Sequence, residues 1–395
     1  MGKNLTVVVG GGAAGIFAAI SKGRSGEPVI ICEKTQQLGK KILASGNGRC
    51  NLLNDNFNET FYNLTARSLV KSVFDTFGKL EILNLFKSLG LEVYSQDGRI
   101  FPATNQAASV LKVLEMELKR LSVPIEYNFN FSGLSFLKRA ILVLSKSGKI
   151  IECQKVIITG GGKSYPAFGS DGSTYEIARQ LGHTIEEPVP SAVPLVVKDS
   201  LCYLLQGQRI FAGARSTIEG KQGDEIRGEL LFTKYGLSGS CILDVSDAIS
   251  VAINRYKKTD VFVSIDMVPF MDAEQLKSEL DKRRKARLPD EEMLVGILPN
   301  KFGAALKYLF EKDDTEVIVD SLKNRRFKVI GTRGWNEAEF TCGGVNVDEV
   351  CIGTLESKLK NGVYFAGEVL DVNGKRGGYN LGWAWASGFV AGLTR

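Results

Sequence analysis

Three glycines near the start of the chain have the spacing that suits the binding of a dinucleotide. Gly10, Gly12 and Gly15 follow an apolar run, LTVVV, and precede a run of small and apolar residues, IFAAISKGR. This pattern predicts a strand, a tight turn and a helix whose first N–H groups face a pyrophosphate. Gly10 would form the turn, Gly12 would let the phosphates approach the backbone, and Gly15 would let the helix pack closely on the strand.

The second predicted strand, PVIICE, ends at Glu33, eighteen residues after Gly15. An acid is expected at this place to accept hydrogen bonds from the ribose of an adenosine, and its charge disfavours the 2′-phosphate of NADP. The segment therefore suits a dinucleotide with an adenosine half. The alternative interpretation is a glycine-rich turn of a parallel sheet that binds no ligand.

A polar loop rich in glycine follows, within LGKKILASGNGRCN at residues 38–51. Its backbone amides and the Arg49 guanidinium suit contacts with the oxygens of a pyrophosphate or with the carbonyl groups of a flavin ring. The alternative interpretation is an Asn-Gly turn at the surface. The residues of this loop that we expect to bind a cofactor are Ser45, Gly46, Asn47, Gly48, Arg49, Cys50 and Asn51.

A second glycine-rich segment, GVYFAGEVLDVNGKRGGYN, lies at residues 362–380. It predicts a strand at 363–366, a polar loop with Glu368 and Asp371, and a helix of small residues after Gly377 and Gly378. The two carboxylates could hold ribityl hydroxyls, and the partial positive charge of the helix N-terminus suits the N1–C2=O edge of a reduced isoalloxazine. Because FAD uses both features and NAD uses neither, we predict one FAD site built from both ends of the chain.

Only one dinucleotide fingerprint is predicted. The strand KVIIT at residues 155–159 also ends in glycines, Gly160 to Gly162, and is expected to return beside the first strand. Pro166 follows shortly afterwards and delays the next helix, so this segment does not form a second GxGxxG turn. If NAD(P)H is a reductant, it would therefore dock transiently.

The composition limits the alternatives. The chain has 395 residues, a formal charge of +6 and seven cysteines without a CxxC pair, which indicates reduced thiols in a cytoplasmic protein. The Cys-x4-Cys of dithiol reductases is absent, because Cys50 stands alone in its segment. No stretch reaches the roughly 20 apolar residues of a membrane span, so no membrane partner is expected. No clustered ligands predict a metal site, and the single histidine, His183, is expected to cap a helix.

Several segments together resemble the BaiN-like bacterial FAD-dependent oxidoreductases, the aminoacetone oxidase family flavoproteins. They are GGGAAG, LGKKILASGNGRCN, DGRIFP, TGGGKSYP, GELLFTKYGLSG, TRGW, TCGGV and GVYFAGEVLDVNGKRGGYNLGWAWASG, spread over nearly the whole chain. The resemblance implies an α/β fold: a glutathione-reductase-type FAD-binding Rossmann domain built from both chain ends, with an inserted β-barrel-like domain and a helical subdomain. It implies FAD, and it leaves both amine oxidation and reduction of unsaturated steroid-like acids open.

The middle of the chain agrees with an insertion, because short alternating strands begin near residue 190 and a helical pattern covers 271–323. We predict an FAD-binding domain at 1–190 plus 330–395, a β-rich domain at 191–270 plus 324–340, and a helical subdomain at 271–323. The expected helices of the subdomain are DAEQLKSELDKRRKARL, DEEMLVGIL and NKFGAALKYLFE.

The predicted function is an FAD-dependent oxidoreductase that transfers a hydride between flavin N5 and a small organic substrate, either an amine or an unsaturated carbonyl compound. O₂ or transiently docked NAD(P)H would recycle the flavin. The alternatives are a flavoprotein that modifies RNA and a non-catalytic flavin sensor. The sequence predicts no basic strand face interleaved with aromatic residues, which argues against a nucleic-acid partner.

The residues with predicted roles come from the segments above. Glu368, Arg333 and Tyr235 are the predicted catalytic residues, and Arg99 and Phe101 are candidates to flank a substrate. The further residues expected to bind the cofactor are Gly10, Gly12, Ala13, Ala14, Gly15, Glu33, Lys34, Lys41, Phe131, Gly160, Gly161, Gly367, Glu368, Asp371, Gly378, Tyr379, Asn380 and Leu381.

Overall fold

The computed structural model of the protein describes residues 4–311 and 314–393. The described residues divide into two compact units. The first comprises those within Met1–Pro188 and Phe340–Arg395, and the second comprises those within Val189–Glu339. Each unit has its own core of buried apolar side chains.

The strands and helices are numbered along the chain. The strands are β1 Thr6–Val9, β2 Val29–Cys32, β3 Leu53–Asn54, β4 Val93–Gln96, β5 Arg99–Pro102, β6 Ile125–Glu126, β7 Phe131–Phe136, β8 Ile141–Ser145, β9 Ile150–Cys153, β10 Lys155–Ile158, β11 Ile185–Ser191, β12 Leu195–Val197, β13 Arg209–Ile218, β14 Lys221–Gln222, β15 Ile226–Thr233, β16 Gly236–Ser238, β17 Val261–Asp266, β18 Arg325–Thr332, β19 Phe340–Val345 and β20 Val363–Phe365. The α-helices are α1 Ala13–Arg24, α2 Lys40–Ala44, α3 Arg67–Thr76, α4 Lys79–Ser88, α5 Ala107–Arg120, α6 Ser173–Gln180, α7 Ser200–Leu204, α8 Ser240–Ser250, α9 Ala273–Lys285, α10 Lys301–Leu306, α11 Thr315–Lys323 and α12 Tyr379–Gly392.

A five-stranded parallel sheet forms the centre of the first unit, in the order β20-β10-β1-β2-β6. Its inner strands TVVV, VIIC and KVII are almost entirely apolar, as expected for strands that are covered on both faces. β10 returns beside β1, as the sequence predicted, and β20 lies beside β10. The first and last parts of the chain therefore build one sheet.

Helices α1 and α12, from opposite ends of the chain, pack against each other through small residues. A Cβ atom added at Gly388 would lie 2.1 Å from the Ala14 carbonyl oxygen, and one at Gly392 would lie 2.5 Å from that of Ala18. Because there is no room for a side chain at either place, the helix needs glycine there. The order of these contacts shows that the two helices run in the same direction, so their N-terminal turns point to the same end of the unit.

In the second unit six antiparallel strands close into a barrel, in the order β13-β15-β16-β12-β18-β17, with β17 pairing back onto β13. Helices α9, α10 and α11 of the same unit form its helical part. The inserted β-barrel and the helical subdomain are thus confirmed. The prediction of a helix for DEEMLVGIL is wrong, because only a short 3₁₀ turn, Asp290–Glu292, forms there. Pro289 and Pro299 flank this segment, and proline restricts φ and removes a hydrogen-bond donor.

His183 lies directly after helix α6 and completes its C-terminal cap. Gly182 has a φ of +96°, and the His183 backbone N–H donates to the Ala178 carbonyl, as in a Schellman motif. The buried imidazole has two further partners, with Nδ1 3.1 Å from the Glu349 carboxylate and Nε2 2.7 Å from the Ser357 hydroxyl. The predicted capping role is therefore confirmed, and the ring itself joins two segments of the first unit.

We expect His183→Ala to lower the free energy of unfolding by about 2–4 kcal/mol, because it leaves a cavity and removes the imidazole partner of the buried Ser357 hydroxyl. Burial holds the pKa of His183 below its ordinary value of 6.5, against the opposing effect of Glu349. The unfolded chain therefore binds a proton more readily, and the wild-type protein loses stability as the pH falls below about 6.5. Urea unfolding between pH 5 and pH 8 measures both effects, and an unchanged stability at pH 8 would contradict the structural role.

Candidate functional site: a dinucleotide cleft in the first unit

A cleft opens at the carboxyl ends of β1, β2 and β10, where ligands bind in open parallel sheets. Eight of the predicted cofactor residues line it: Gly10, Gly12, Glu33, Lys34, Lys41, Phe131, Gly160 and Gly161. The residues that line it without having been predicted include Gly11, Gln37, Lys40, Phe129, Asn130, Thr159, Phe168, Gly169, Ser170, Ser173 and Thr174. The structure therefore brings the first predicted loop and the Gly160–Gly161 loop together.

The turn between β1 and α1 has the shape that the fingerprint predicts. Gly10 has a φ of +106°, and a Cβ atom at Gly15 would lie 1.8 Å from the Gly10 carbonyl oxygen. A Cβ atom at Gly12, in contrast, would meet no atom within 4 Å, and no side chain caps the N-terminus of α1. Gly12 thus faces open space in front of a helix N-terminus, which is where a pyrophosphate binds.

Glu33 is held at the end of β2 by two backbone groups. Its Oε2 accepts a hydrogen bond from the Gly11 N–H at 2.7 Å, and its Oε1 accepts one from the Thr35 N–H at 2.7 Å. The side chain is buried but lines the cleft. Each carboxylate oxygen keeps a further acceptor position, so the group is oriented to receive the hydroxyls of a ribose.

The segment from Phe168 to Thr174 forms a wall of the cleft that sequence reasoning missed. An ion pair between Lys34, which follows β2, and Asp171 joins this segment to the carboxyl end of β2. Ser170 and Thr174 are 4% and 5% exposed, and neither hydroxyl has a hydrogen-bond partner among the described residues. The sequence could have indicated this wall through the polar run GSDGST at residues 169–174, which follows the glycines at 160–162.

These features fit FAD. A buried hydroxyl without a partner is costly, and both orphaned hydroxyls border a cleft whose other wall is a phosphate-binding turn. The glycine turn would hold the pyrophosphate, Glu33 would hold the adenosine ribose, and Ser170 and Thr174 would donate to oxygen atoms of the dinucleotide.

Thr174→Val removes one orphaned hydroxyl without changing the shape of the side chain. We expect the apoprotein to keep or slightly raise its melting temperature, and the affinity for FAD to fall about 2- to 13-fold, because one hydrogen bond contributes roughly 0.5–1.5 kcal/mol. Thr6→Val is the matched control, since the Thr6 hydroxyl is also buried and without a partner but does not line the cleft. Equal effects of the two substitutions on FAD affinity would contradict the assignment.

Glu368 lies in a dense polar cluster of the first unit. Its Oε2 accepts from Lys41 Nζ at 2.6 Å, and its Oε1 accepts from the Thr341 N–H at 2.8 Å and the Ser164 hydroxyl at 3.1 Å. Burial alone would raise the pKa of Glu368, but Lys41 and the backbone N–H groups of Thr341 and Gly162 outweigh it, so the pKa lies below its ordinary value. At neutral pH the group is a carboxylate that holds Lys41 at the cleft.

The two glycine-rich loops of the sequence meet in the structure. The side-chain oxygen of Asn51 accepts a hydrogen bond from the Gly378 N–H at 3.1 Å, and its amide nitrogen donates one to the Leu53 carbonyl at 2.9 Å. Asn54 donates to the Gly377 carbonyl at 2.9 Å. The predicted residues of both loops therefore lie side by side, and the N-terminus of α12 begins there without a side-chain cap.

Several other predicted residues have clear structural partners in this part of the unit. Tyr379 stacks on Phe61 with ring centroids 4.7 Å apart, and the Asn380 amide bonds both the N–H and the carbonyl of Gly374. Gly367 donates to the Ser387 hydroxyl. Burial raises the pKa of Cys50 to about 12, so its thiol is protonated at neutral pH. The roles predicted for these residues in binding a cofactor stay predictions.

Arg333 and Tyr235 belong to the second unit. The Arg333 guanidinium lies 4.6 Å from the centre of the Tyr235 ring and forms an ion pair with Glu337 at 2.6 Å. Burial, with the Glu337 carboxylate, raises the pKa of Tyr235 above its ordinary value. The Arg333 guanidinium thus stacks on the Tyr235 ring, and the catalytic role of both residues stays a prediction.

Within 4–311 and 314–393, no helix is both long and apolar enough to cross a membrane. In the same ranges no group of three or more His, Cys, Asp or Glu side chains is arranged to hold a metal ion.

Known proteins share the fold of the described residues, which combines a parallel Rossmann-type sheet with a closed barrel. Two solved structures cover 99% of this chain with a TM-score of 0.51: the 3-ketosteroid-Δ4-(5α)-dehydrogenase of Rhodococcus jostii at 14% identity and 97% of its length, and the 3-ketosteroid Δ1-dehydrogenase of Sterolibacterium denitrificans at 13% identity and 99% of its length. At such low identities these likenesses show the fold alone.

The family is shown by sequence. The family described as HI0933-like protein Rossmann domain matches residues 4–394, and the chain belongs to it. The chain is 37% identical to a 3-dehydro-bile acid Δ(4,6)-reductase of Clostridium scindens, over 98% of this chain and 97% of that protein. It is 30% identical to a ribosomal RNA dihydrouridine synthase of Escherichia coli, over 97% of this chain and 96% of that protein. The predicted family and the predicted enzyme class are confirmed.

Proposed function

We propose that the protein reduces a carbon–carbon double bond conjugated to a carbonyl group, with FAD as its cofactor. The observation that carries the proposal is the chemistry common to two full-length relatives. A Δ4 double bond beside a 3-oxo group and the C5–C6 bond of uridine are both conjugated to a carbonyl, and both relatives are named for saturating such a bond. Neither name describes the oxidation of an amine, so the reductive direction is favoured.

The residues of the cleft support this chemistry by binding and orientation. When bound, FAD would supply a hydride for the β-carbon of such a substrate, and the α-carbon would take a proton from solvent. The turn at Gly12 and the orphaned hydroxyls of Ser170 and Thr174 would fix the dinucleotide. Glu368 is an anion with several donors around it, so we assign it to positioning Lys41 rather than to donating a proton.

The electron donor in this proposal is NAD(P)H that docks transiently. The sequence contains one dinucleotide fingerprint, which FAD would occupy, so NAD(P)H would have no fingerprint of its own, and the described cysteines are free thiols. A buried thiol such as that of Cys50, whose pKa is raised to about 12, is a poor redox nucleophile. A pyridine nucleotide therefore fits better than a dithiol as the source of the hydride.

Reduction of uridine in RNA is the second candidate. Two relatives, from Escherichia coli and Haemophilus influenzae, are named ribosomal RNA dihydrouridine synthases, at 30% and 28% identity over nearly the full length of both chains. The reaction class would be the same and only the substrate would differ.

Anaerobic stopped-flow measurements test the proposal. The purified holoenzyme is reduced with NADPH or NADH, then mixed separately with a 3-oxo-4-ene steroid acid, a uridine-containing RNA oligonucleotide, and aminoacetone. We expect one of the two unsaturated carbonyl compounds to reoxidise the flavin, and aminoacetone to have no effect on either redox form. Reduction of the oxidised flavin by aminoacetone, with no reoxidation by either conjugated substrate, would contradict the proposal.

A further inference from the structure

The two glycine-rich loops meet over one face of the small antiparallel sheet β3-β5-β4. In this sheet Arg99 is paired with Asn54 on one side, and Phe101 is paired with Tyr94 on the other. Paired residues, and residues two apart along a strand, share a face of a sheet, so these four side chains lie on one face, which we call the arginine face. Ile100, on the opposite face, is buried in the core.

Each loop contributes to the arginine face. From the first loop, the Arg49 guanidinium stacks on the Phe101 ring, 4.3 Å from the ring centroid. Phe101 is only 3% exposed. From the second loop, a Cβ atom at Gly377 would lie 3.6 Å from Arg99 Nε. Arg49 therefore lies over Phe101, and Arg99 stands two positions before Phe101 on the same face, where such positions are roughly 7 Å apart.

Neither arginine has an acidic partner. Within the part of the chain that the structure describes, no carboxylate lies within 4 Å of Arg49 or Arg99, whereas Arg24 of the same unit bonds Glu117 at 2.7 Å. Both side chains are solvent-exposed. An arginine presents a planar fork that matches the oxygens of a carboxylate or a phosphate, and stacking on Phe101 fixes the fork of Arg49 in advance.

The backbone that presents Arg49 is also unusual. Gly46, Asn47, Gly48 and Cys50 have φ values of +56°, +55°, +82° and +61°, so every residue of 46–50 except Arg49 has a left-handed backbone. Non-glycine residues in this region cost of order 1–3 kcal/mol each, and such strain is concentrated at functional sites. The buried Cys50 side chain and the hydrogen bond from its N–H to the Ser45 carbonyl hold the loop in this form.

We propose that Arg49 and Arg99 together bind an anionic group of the substrate, a carboxylate or a phosphate, and so select an anionic substrate for the reaction. The inference rests on the proposed function and adds the charge of the substrate to it. It also gives Arg49 a different role from the cofactor contact predicted from sequence. The anion can belong to a small carboxylic acid or to the backbone of RNA, and the test has an arm for each.

The test measures binding to the oxidised holoenzyme by titration calorimetry. The probes are a 3-oxo-4-ene steroid carboxylic acid, its methyl ester, and a short uridine-containing RNA. Arg49→Gln and Arg99→Gln are compared with Arg139→Gln, which removes an exposed arginine of the same unit outside the site. We expect the wild-type protein to bind the acid at least about tenfold more tightly than the ester, or the RNA with an affinity that falls with salt.

In either case Arg49→Gln and Arg99→Gln should each weaken binding of the anion about 5- to 20-fold and leave binding of the ester unchanged, with Arg139→Gln like the wild type. If phosphate is the anion, each substitution should also reduce the salt slope by about one. A wild-type protein that holds FAD but binds acid and ester equally and does not bind RNA overturns the inference alone. Loss of FAD in Arg49→Gln, with substrate affinity unchanged after FAD is restored, overturns it in favour of a cofactor contact. A wild-type protein that binds no FAD refutes the proposed function instead.

Discussion

Gly12→Ala is expected to bind FAD about 10- to 100-fold more weakly than the wild type, while its apoprotein folds normally. A methyl group at Gly12 meets no protein atom within 4 Å, and the φ of −83° at this position suits any residue. The new group would therefore strain nothing in the apoprotein and would occupy only the space in front of the N-terminus of α1. Because a methyl group forced into a filled site costs roughly 1–3 kcal/mol, the penalty should appear in cofactor binding alone.

Two other glycines provide the comparison. At Gly15 a Cβ atom would lie 1.8 Å from the Gly10 carbonyl oxygen, so Gly15→Ala should lose stability as well as FAD affinity. At Gly334, in the second unit, a Cβ atom also meets nothing, so Gly334→Ala should change neither. Fluorescence titration with FAD and thermal unfolding of the apoprotein measure the two quantities separately. If Gly12→Ala bound FAD as tightly as the wild type, the pyrophosphate would not lie at this turn.

Glu368→Gln is expected to lower the free energy of unfolding by about 2–3 kcal/mol at pH 7. The substitution removes the partner of Lys41 and places an amide N–H among groups that already donate, namely Lys41, Ser164 and the Thr341 N–H. Breaking a buried pair costs roughly 3–5 kcal/mol, and the value is discounted here because the side chains of Lys41 and Glu368 are 30% and 21% exposed.

The pH dependence of this difference follows from the lowered pKa of Glu368. A carboxylate whose pKa is lower in the folded than in the unfolded chain adds stability above the ordinary value of 4.5, and this contribution is lost as the pH falls through the lowered pKa. The gap between wild type and Glu368→Gln should therefore be full at pH 7 and should shrink steadily below pH 4.5.

The exposed pair Lys71–Asp75 serves as the control, because Asp75→Asn should cost less than about 1 kcal/mol at any pH. Urea unfolding of the three proteins from pH 3 to pH 8 provides the measurement. A Glu368→Gln protein as stable as Asp75→Asn at pH 7 would show that the cluster does not hold the Gly162 and Thr341 segments in place.

The parts of the fold that follow local rules were predictable from sequence. The strand, glycine turn and helix of 6–24, the return of 155–158 beside β1 and the small-residue helix of 379–392 all depend on patterns of neighbouring residues. The barrel was predictable as a class, because its strands alternate in polarity, but its closure by the pairing of β13 with β17 depends on residues far apart in the chain.

The site was predictable where glycines mark it and not where ordinary residues complete it. Ser170 and Thr174 are common residues in a polar loop, and only their burial beside the cleft distinguishes them. The Lys41–Glu368 pair joins residues 327 positions apart, which no local pattern reports. Arg99 was singled out from DGRIFP, but its position beside Gly377 and near Arg49 follows from the pairing of β3, β4 and β5.

The most direct test of the central claim is the absorption spectrum of the purified protein, recorded under argon before and after NADPH or NADH and then after a conjugated substrate. Flavin bands near about 370 and 450 nm, bleached by a pyridine nucleotide and restored by a 3-oxo-4-ene steroid acid or a uridine-containing RNA, are the predicted result. A colourless protein that also fails to take up added FAD would contradict the claim that the cleft binds FAD.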